Sequence, residues 1–307
     1  MSRLIFGWLT ALMASLPLTL GYLIAGLATE IHFRLFPDRR HAALANLAVA
    51  MPRATRRERL QIVRRMMHSY NCMLFEFFRL PHLTRSELLR SVEVVGREHL
   101  EQAVARGRGV ILASTHIGNW ELGAVLLAHW GYTLHAVAGV QLSRWLTPAV
   151  RDTKTELAIH TIAPEDGFRK LLRALDHNDL VALMVDGDMY SQGVPVEFFG
   201  RETPFPPGPG MLAQRTGALI ICGYCQRLGP GRFRLVMEQA LDPANFPTVG
   251  ALNGAVAATV ESHIRSHLDQ WCIFRPLWEE APEAATVPAA AGGTFQYGQS
   301  LSLCRQF

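Results

Sequence analysis

Charge is missing from one end of this chain and nearly balanced over the rest. No charged side chain lies between Arg3 and Glu30. A continuous helix over residues 4–28 would, at about 1.5 Å per residue, exceed the roughly 30 Å hydrocarbon core of a bilayer. Over all 307 residues the formal net charge is only +4, so there is no basic footprint for nucleic acid. Cysteine is sparse. Cys72, Cys222, Cys225, Cys272 and Cys304 are odd in number and irregular in spacing, which argues against a disulfide framework and suits a reducing compartment. Cys222 and Cys225 have no second pair to complete a zinc site, and they fall in an apolar strand pattern where cysteine acts as a small hydrophobe.

Several catalytic signatures are missing too. There is no Gly-x-Ser-x-Gly elbow, which disfavours an α/β-hydrolase. Neither a phosphate-binding Walker A loop nor a dinucleotide fingerprint occurs. No zincin His-Glu-x-x-His helix exists, and His263-x3-His267 reads as a solvated or core pair. Two nearby carboxylates, Asp186 and Asp188, are too few for a metal centre. The expectation is no metal and no cofactor.

What the chain does have is hydrophobicity. About half of its residues (49%) are apolar and its mean hydropathy is slightly positive, which fits one membrane anchor plus a globular body. A cleaved signal peptide is the competing reading of the N-terminus, but the apolar run is long for one. Pro17 can kink it and so permit a shallow interfacial helix. His32, Arg34, Arg39, Arg40 and His41 crowd its C-terminal flank against Arg3 alone on the other side, which places the body in the cytoplasm.

The most informative segment is Ser114-Thr115-His116-Ile117-Gly118-Asn119-Trp120-Glu121, straight after the apolar run Gly109-Val110-Ile111-Leu112-Ala113. It holds a histidine and a carboxylate at a strand-to-helix corner. An imidazole held by a carboxylate is a general base. Residues five apart in a helix differ by roughly 140° in direction. For His116 to meet Glu121 it must therefore lie before the regular turns. Gly118 can loosen the backbone there, Asn119 is a good N-cap, and Glu121 in the first turn suits the helix dipole. The helix should then run to Trp130 and stop at Gly131.

Residues 4–278 resemble the late acyltransferases of lipid A biosynthesis and their relatives that acylate other membrane glycolipids. The resemblance is carried in order by the apolar N-terminus; by His41-Ala42-Ala43-Leu44-Ala45-Asn46-Leu47 with Met51-Pro52; and by the His-x4-Glu block. It continues through Leu183-Met184-Val185-Asp186-Gly187-Asp188, Val194-Pro195-Val196-Glu197-Phe198-Phe199-Gly200, Met211-Leu212-Ala213-Gln214-Arg215-Thr216-Gly217-Ala218 and Asp269-Gln270-Trp271. It implies a bacterial inner-membrane O-acyltransferase that moves a fatty-acyl group from a thioester, on acyl carrier protein or CoA, to a hydroxyl of a membrane glycolipid. A lipid A precursor is the first acceptor to expect; a phosphatidylinositol mannoside or a lysophospholipid is the alternative. By the same resemblance His116 is the base, Glu121 its orienting partner, and Arg151 and Lys154 fall where the family places a basic residue. A non-catalytic lipid-binding protein of the same fold is the rival of another class. Near its end the chain departs from the lipid A branch, with Arg275-Pro276 where the family often has two basic residues; this bears on the acceptor's identity.

The wider pattern alternates helices and short strands, which predicts an α/β fold: a mixed sheet flanked by helices, like glycerolipid acyltransferases, with an N-terminal membrane helix. The expected organisation is a transmembrane or interfacial helix over residues 1–30, a helical membrane-proximal segment over 31–91, an α/β core over 92–280 and a loose tail over 281–307. Strands are expected at 91–95, 132–140, 180–185, 219–224 and 232–238. Helices are expected at 98–106, 146–157, 167–177, within 205–217, and at 249–268. Asp186 and Asp188 follow the 180–185 strand at the edge where His116 should lie, and read either as site residues or as a turn. Asn119 joins the expected substrate-binding residues, as does Gly200, which opens a Gly-Pro-rich stretch leading to a helix N-terminus suited to an anion. Phe198, Phe199 and Phe205 line an acyl groove or fill the core. Six arginines between Arg53 and Arg65 form a patch for anionic lipid, for an acidic carrier protein, or simply for solvent.

Overall fold

The computed structural model describes residues 2–138, 144–163, 167–186 and 193–278. Asp188 and the tail expected over 281–307 lie outside the described residues.

The N-terminal apolar stretch is two helices, α1 (Ser2–Ser15) and α2 (Leu18–Leu35). Pro17 has no N–H to continue α1, so the chain breaks there and the two axes bend by 115°. No single described helix is long and apolar enough to cross a membrane; this pair reaches the required length and composition only together. The single continuous helix expected from composition is therefore not what forms. Each helix has one face on the body. Phe6 of α1 is buried against Ala149, Val150, Phe77 and Phe78. Gly21 of α2 lies on the ring of Phe75, where any larger side chain would collide. The opposite faces are bare: Trp8 is 78% exposed, and Leu23 and Leu27 each 61%.

Helices α3 (Pro37–Ala50) and α4 (Arg56–Arg79) follow. Thr55 and Glu58 form a reciprocal capping box at the start of α4, and Val63, Met66 and Met67 bury its apolar stripe against Ala43 and Leu47 of α3. A second capping box, Thr84 with Glu87, opens α5 (Arg85–Ser91) as the spacing predicts.

The body is a seven-stranded sheet in the order β1-β9-β8-β2-β5-β3-β4. Its strands are β1 (Val92–Val95), β2 (Val110–Gly118), β3 (Leu134–Val137), β4 (Ile159–Ile162), β5 (Leu180–Met184), β8 (Leu219–Gly229) and β9 (Arg232–Met237). Strands β8, β5, β3 and β4 run with β2, while β9 turns back antiparallel to β8 and carries β1 with it. The mixed sheet flanked by helices is as expected. Helices α6 (Arg97–Val104) and α7 (Trp120–His129) bury Leu100, Leu122 and Leu126 with Val110 and Leu112 of β2. Helices α9 (Gly167–Asp176), α10 (Gly208–Thr216) and α11 (Val249–Ser266) bury Leu171, Leu212 and Val256 with Ile111 and Ala113 on the other face. A strand covered on both faces reads as an unbroken apolar run, which is why residues 110–113 show no alternation.

Helix α8 (Thr147–Glu156) falls where one was expected. Two features were not anticipated. One is β4; the other is a separate antiparallel ribbon of β6 (Val194–Phe198) and β7 (Arg201–Phe205). Pro195 faces Pro204 across this ribbon. A two-stranded ribbon consists of edges, where proline's missing N–H is tolerated. Phe198, Phe199 and Phe205 are buried among Trp271 and Trp278; they are core.

Candidate active site

The histidine corner is built by β2 running further than its apolar segment. The strand continues through His116, and Gly118 ends it in the left-handed region at φ +63°. A Cβ on Gly118 would strike the carbonyl oxygen of Cys225 and approach Gln226 Cα at 2.9 Å. Only glycine fits, on both conformational and steric grounds. Asn119 then caps α7, accepting from Leu122 N–H at 2.9 Å, and its own N–H donates to the Cys225 carbonyl at 2.8 Å. Gly118→Ala is expected to cost more than the roughly 1–2 kcal/mol of a left-handed alanine, because backbone must also move. Thermal melting checks this: a fall in midpoint of several degrees with at least tenfold slower turnover is the expected result.

The imidazole is held by Asp186. His116 Nδ1 lies 2.8 Å from Asp186 Oδ1, and the His116 backbone N–H donates to Asp186 Oδ2 at 2.7 Å. The indole N–H of Trp271 donates to the same Oδ2 at 3.0 Å. Strand register brings these groups together: Ser114 pairs with Met184, so the residues two further on stand opposite each other at the carboxyl end of neighbouring parallel strands. Asp186 is only 1% exposed. Burial pushes its pKa up. The nearby His116 charge, the His116 side-chain and backbone hydrogen bonds and the Trp271 indole together outweigh burial, and hold the carboxyl below its ordinary value. An ionised carboxylate can only accept, so Nδ1 carries a proton, and in the neutral ring the lone pair is on Nε2. No described side chain bonds to Nε2, and the His116 side chain is 21% exposed. The ring is steadied by Trp120, edge to face at 4.9 Å, and the His116 carbonyl accepts from Cys272 N–H at 2.8 Å. This is the geometry of an oriented general base.

Glu121 has a different partner from the one the His-x4-Glu spacing suggested. Its carboxylate is bonded to Lys154 Nζ of α8 at 2.7 Å. Glu121 is in the first turn of α7, whereas His116 is in extended backbone five residues back, where Asp186 already occupies its Nδ1. Lys154 is 9% exposed and sits with Glu121 beside a crevice lined by Phe6, Val125, Val150 and Leu157. Arg151 lies on the same helix, and its buried Nε has no hydrogen-bond partner among the described residues. Asn119, expected to contact substrate, is fully buried, and both ends of its amide are used inside the protein, on Leu122 N–H and on Glu76. Gly200 is the exposed turn residue of the β6–β7 ribbon at φ +71°. Among the described residues no cluster of histidine, cysteine or carboxylate side chains could hold a metal ion.

Sequence reasoning left three contributors unassigned. Trp271 lies in a segment that carries the resemblance, but only the fold reveals its indole on Asp186. Glu76 is a lone acid within an apolar stretch, Cys72 to Phe78, which signals a buried partner; that partner is Arg227.

The family model described as bacterial lipid A biosynthesis acyltransferase matches residues 3–280. The chain is similar to a phosphatidylinositol mannoside acyltransferase of Mycobacterium tuberculosis (strain CDC 1551 / Oshkosh), with 32% identity over 218 residues, 69% of this chain and 68% of the relative. A phosphatidylinositol mannoside acyltransferase of Mycolicibacterium smegmatis is 29% identical over 71% of this chain and 72% of its own. A lipid A biosynthesis acyltransferase of Haemophilus influenzae is 22% identical over 76% of this chain and 73% of its own. With a family match that runs through β2, its histidine corner and Trp271, the chain belongs to the bacterial lipid A biosynthesis acyltransferase family.

Proposed function

We propose that this acyltransferase moves a fatty-acyl group from a thioester, on acyl carrier protein or CoA, to a sugar hydroxyl of a membrane glycolipid. The observation that carries the reading is the His116–Asp186 pair at the carboxyl edge of the sheet, with an Nε2 that no described side chain bonds. Nε2 takes the proton of the acceptor hydroxyl. The freed oxygen attacks the thioester carbon, the C–O bond forms and a tetrahedral oxyanion results. Collapse breaks the C–S bond, and the imidazolium returns its proton to the departing thiolate. Asp186 stays ionised throughout and balances the imidazolium charge. Lys154, paired with Glu121 in an apolar surround, is the cation we assign to the developing oxyanion, since a buried charge acts more strongly than a solvated one. The thioester supplies its own activation.

The bare apolar faces of α1 and α2 support a membrane-surface location for the enzyme. Their inner faces are packed on the body, so we assign the bent pair to the interface, with Trp8, Leu23 and Leu27 in the acyl boundary rather than across the bilayer. Identity of 32% to the phosphatidylinositol mannoside enzyme against 22% to the lipid A enzyme favours a mannosylated phosphoinositide as acceptor over a lipid A precursor. The test is acyl transfer by purified, detergent-solubilised protein, given palmitoyl-CoA or palmitoyl acyl carrier protein with each acceptor and read by mass spectrometry. A new ester on the mannosylated acceptor is expected. No ester on either glycolipid from either donor would overturn the reading.

A further inference from the structure

One buried polar assembly lies outside the proton-transfer path. Its centre is Glu76 of α4, 5% exposed. Arg227 of β8 grips this carboxylate bidentately, Nε to Oε1 and Nη2 to Oε2, each at 2.6 Å. Tyr22 of α2 donates its hydroxyl proton to Oε1 at 2.6 Å, and Asn119 Nδ2 donates to Oε2 at 2.8 Å. The outer ends are fixed as well: Tyr22 Oη accepts from Gly231 N–H at 2.9 Å, and Arg227 Nη1 donates to Ser69 Oγ at 2.9 Å.

Stability alone does not explain this arrangement. A buried ion pair of this kind can often be replaced by apolar residues of similar volume at no loss. What an apolar pair cannot supply is an acceptor for Asn119. That amide is fully buried and must present Oδ1 to Leu122 N–H to cap α7. It holds this orientation only if something accepts from Nδ2, and Glu76 does so. Asn119 stands between Gly118 and Trp120, where β2 turns into α7, so its orientation sets where His116 and Glu121 stand relative to each other. The same carboxylate reaches, through Tyr22, the helix whose opposite face carries the exposed Leu23 and Leu27.

We infer that Glu76 is a positioning residue for the catalytic corner, acting through Asn119, and that Tyr22 ties the apolar surface helix α2 to that corner. The inference rests on the acyl-transfer reading given above. Two double variants isolate it. Glu76→Gln/Arg227→Met removes both charges but leaves an amide oxygen for Asn119, and kcat within about threefold of the parent is expected. Glu76→Leu/Arg227→Met removes the acceptor as well, and kcat about tenfold or more below the parent is expected, with donor KM within about twofold, since misplacing reacting groups costs rate rather than binding. Equal kcat in the two double variants would overturn the inference. If the leucine variant does not fold, Tyr22→Phe, which deletes one oxygen and leaves the ion pair whole, provides the reading: kcat about threefold lower with unchanged KM is expected, and parent kcat overturns it. Absence of transfer by the parent protein would instead defeat the acyl-transfer reading itself, so the two failures are distinguishable.

Discussion

Asp186→Asn is expected to lower kcat by about 10³- to 10⁴-fold, the size of effect seen when the acid behind a catalytic histidine becomes an amide. The reason is geometric. Asp186 Oδ2 receives two fixed donors, the His116 backbone N–H and the Trp271 indole N–H, and Oδ1 receives Nδ1–H. Asparagine has one oxygen. That oxygen must face the two donors that cannot change, which turns the NH₂ toward His116 Nδ1. Nδ1 then becomes the acceptor, the ring proton moves to Nε2, and no lone pair faces the acceptor hydroxyl. The fold should survive, because most of the hydrogen bonds do. Single-turnover rates measure the loss. A second consequence follows from the depressed pKa of Asp186, which burial opposes and the His116 charge and hydrogen bonds produce. Since the folded value lies below the unfolded one, the group's stability contribution is complete above the ordinary carboxylate range, about pH 4. It is lost as pH falls from there through the folded value. Acid titrations of the parent should show this loss, and those of Asp186→Asn should lack it.

His116→Ala is expected to lower kcat by about 10⁴-fold, the upper end of what a positioned general base contributes. Its backbone roles remain, because alanine still offers N–H to Asp186 and a carbonyl to Cys272. The space left beside Trp120 is the size of the lost ring, so added imidazole should restore part of the rate. No restoration, with transfer near the parent rate in the variant itself, would remove His116 from the mechanism.

These two predictions turn on a partnership that the sequence displayed only in pieces. The apolar run before His116 and the run before Asp186 were each legible as strands with polar residues at their ends. That 116 faces 186 depends on β2 and β5 being neighbours in register, and no local periodicity encodes a pairing seventy residues apart. The local spacing pointed to Glu121 instead, although roughly 140° separates residues five apart on a helix; in the fold Glu121 turns to Lys154. Gly118 and Asn119 were readable because their roles are local: a left-handed residue and a helix cap. Pro17 announced a break, but a 115° bend is set by what α1 and α2 pack against. The β6–β7 ribbon was hidden by two prolines that ordinarily exclude strands. Glu76 and Arg227 lie 151 positions apart, and only burial makes them partners.

The most direct measurement is a double-mutant cycle on kcat with His116→Ala, Asp186→Asn and both together. If Asp186 acts through the imidazole, the double variant should transfer acyl groups as slowly as His116→Ala alone, because groups that act as a unit are not additive. A double variant slower by the product of the two single effects, or an Asp186→Asn variant at the parent rate, would contradict it.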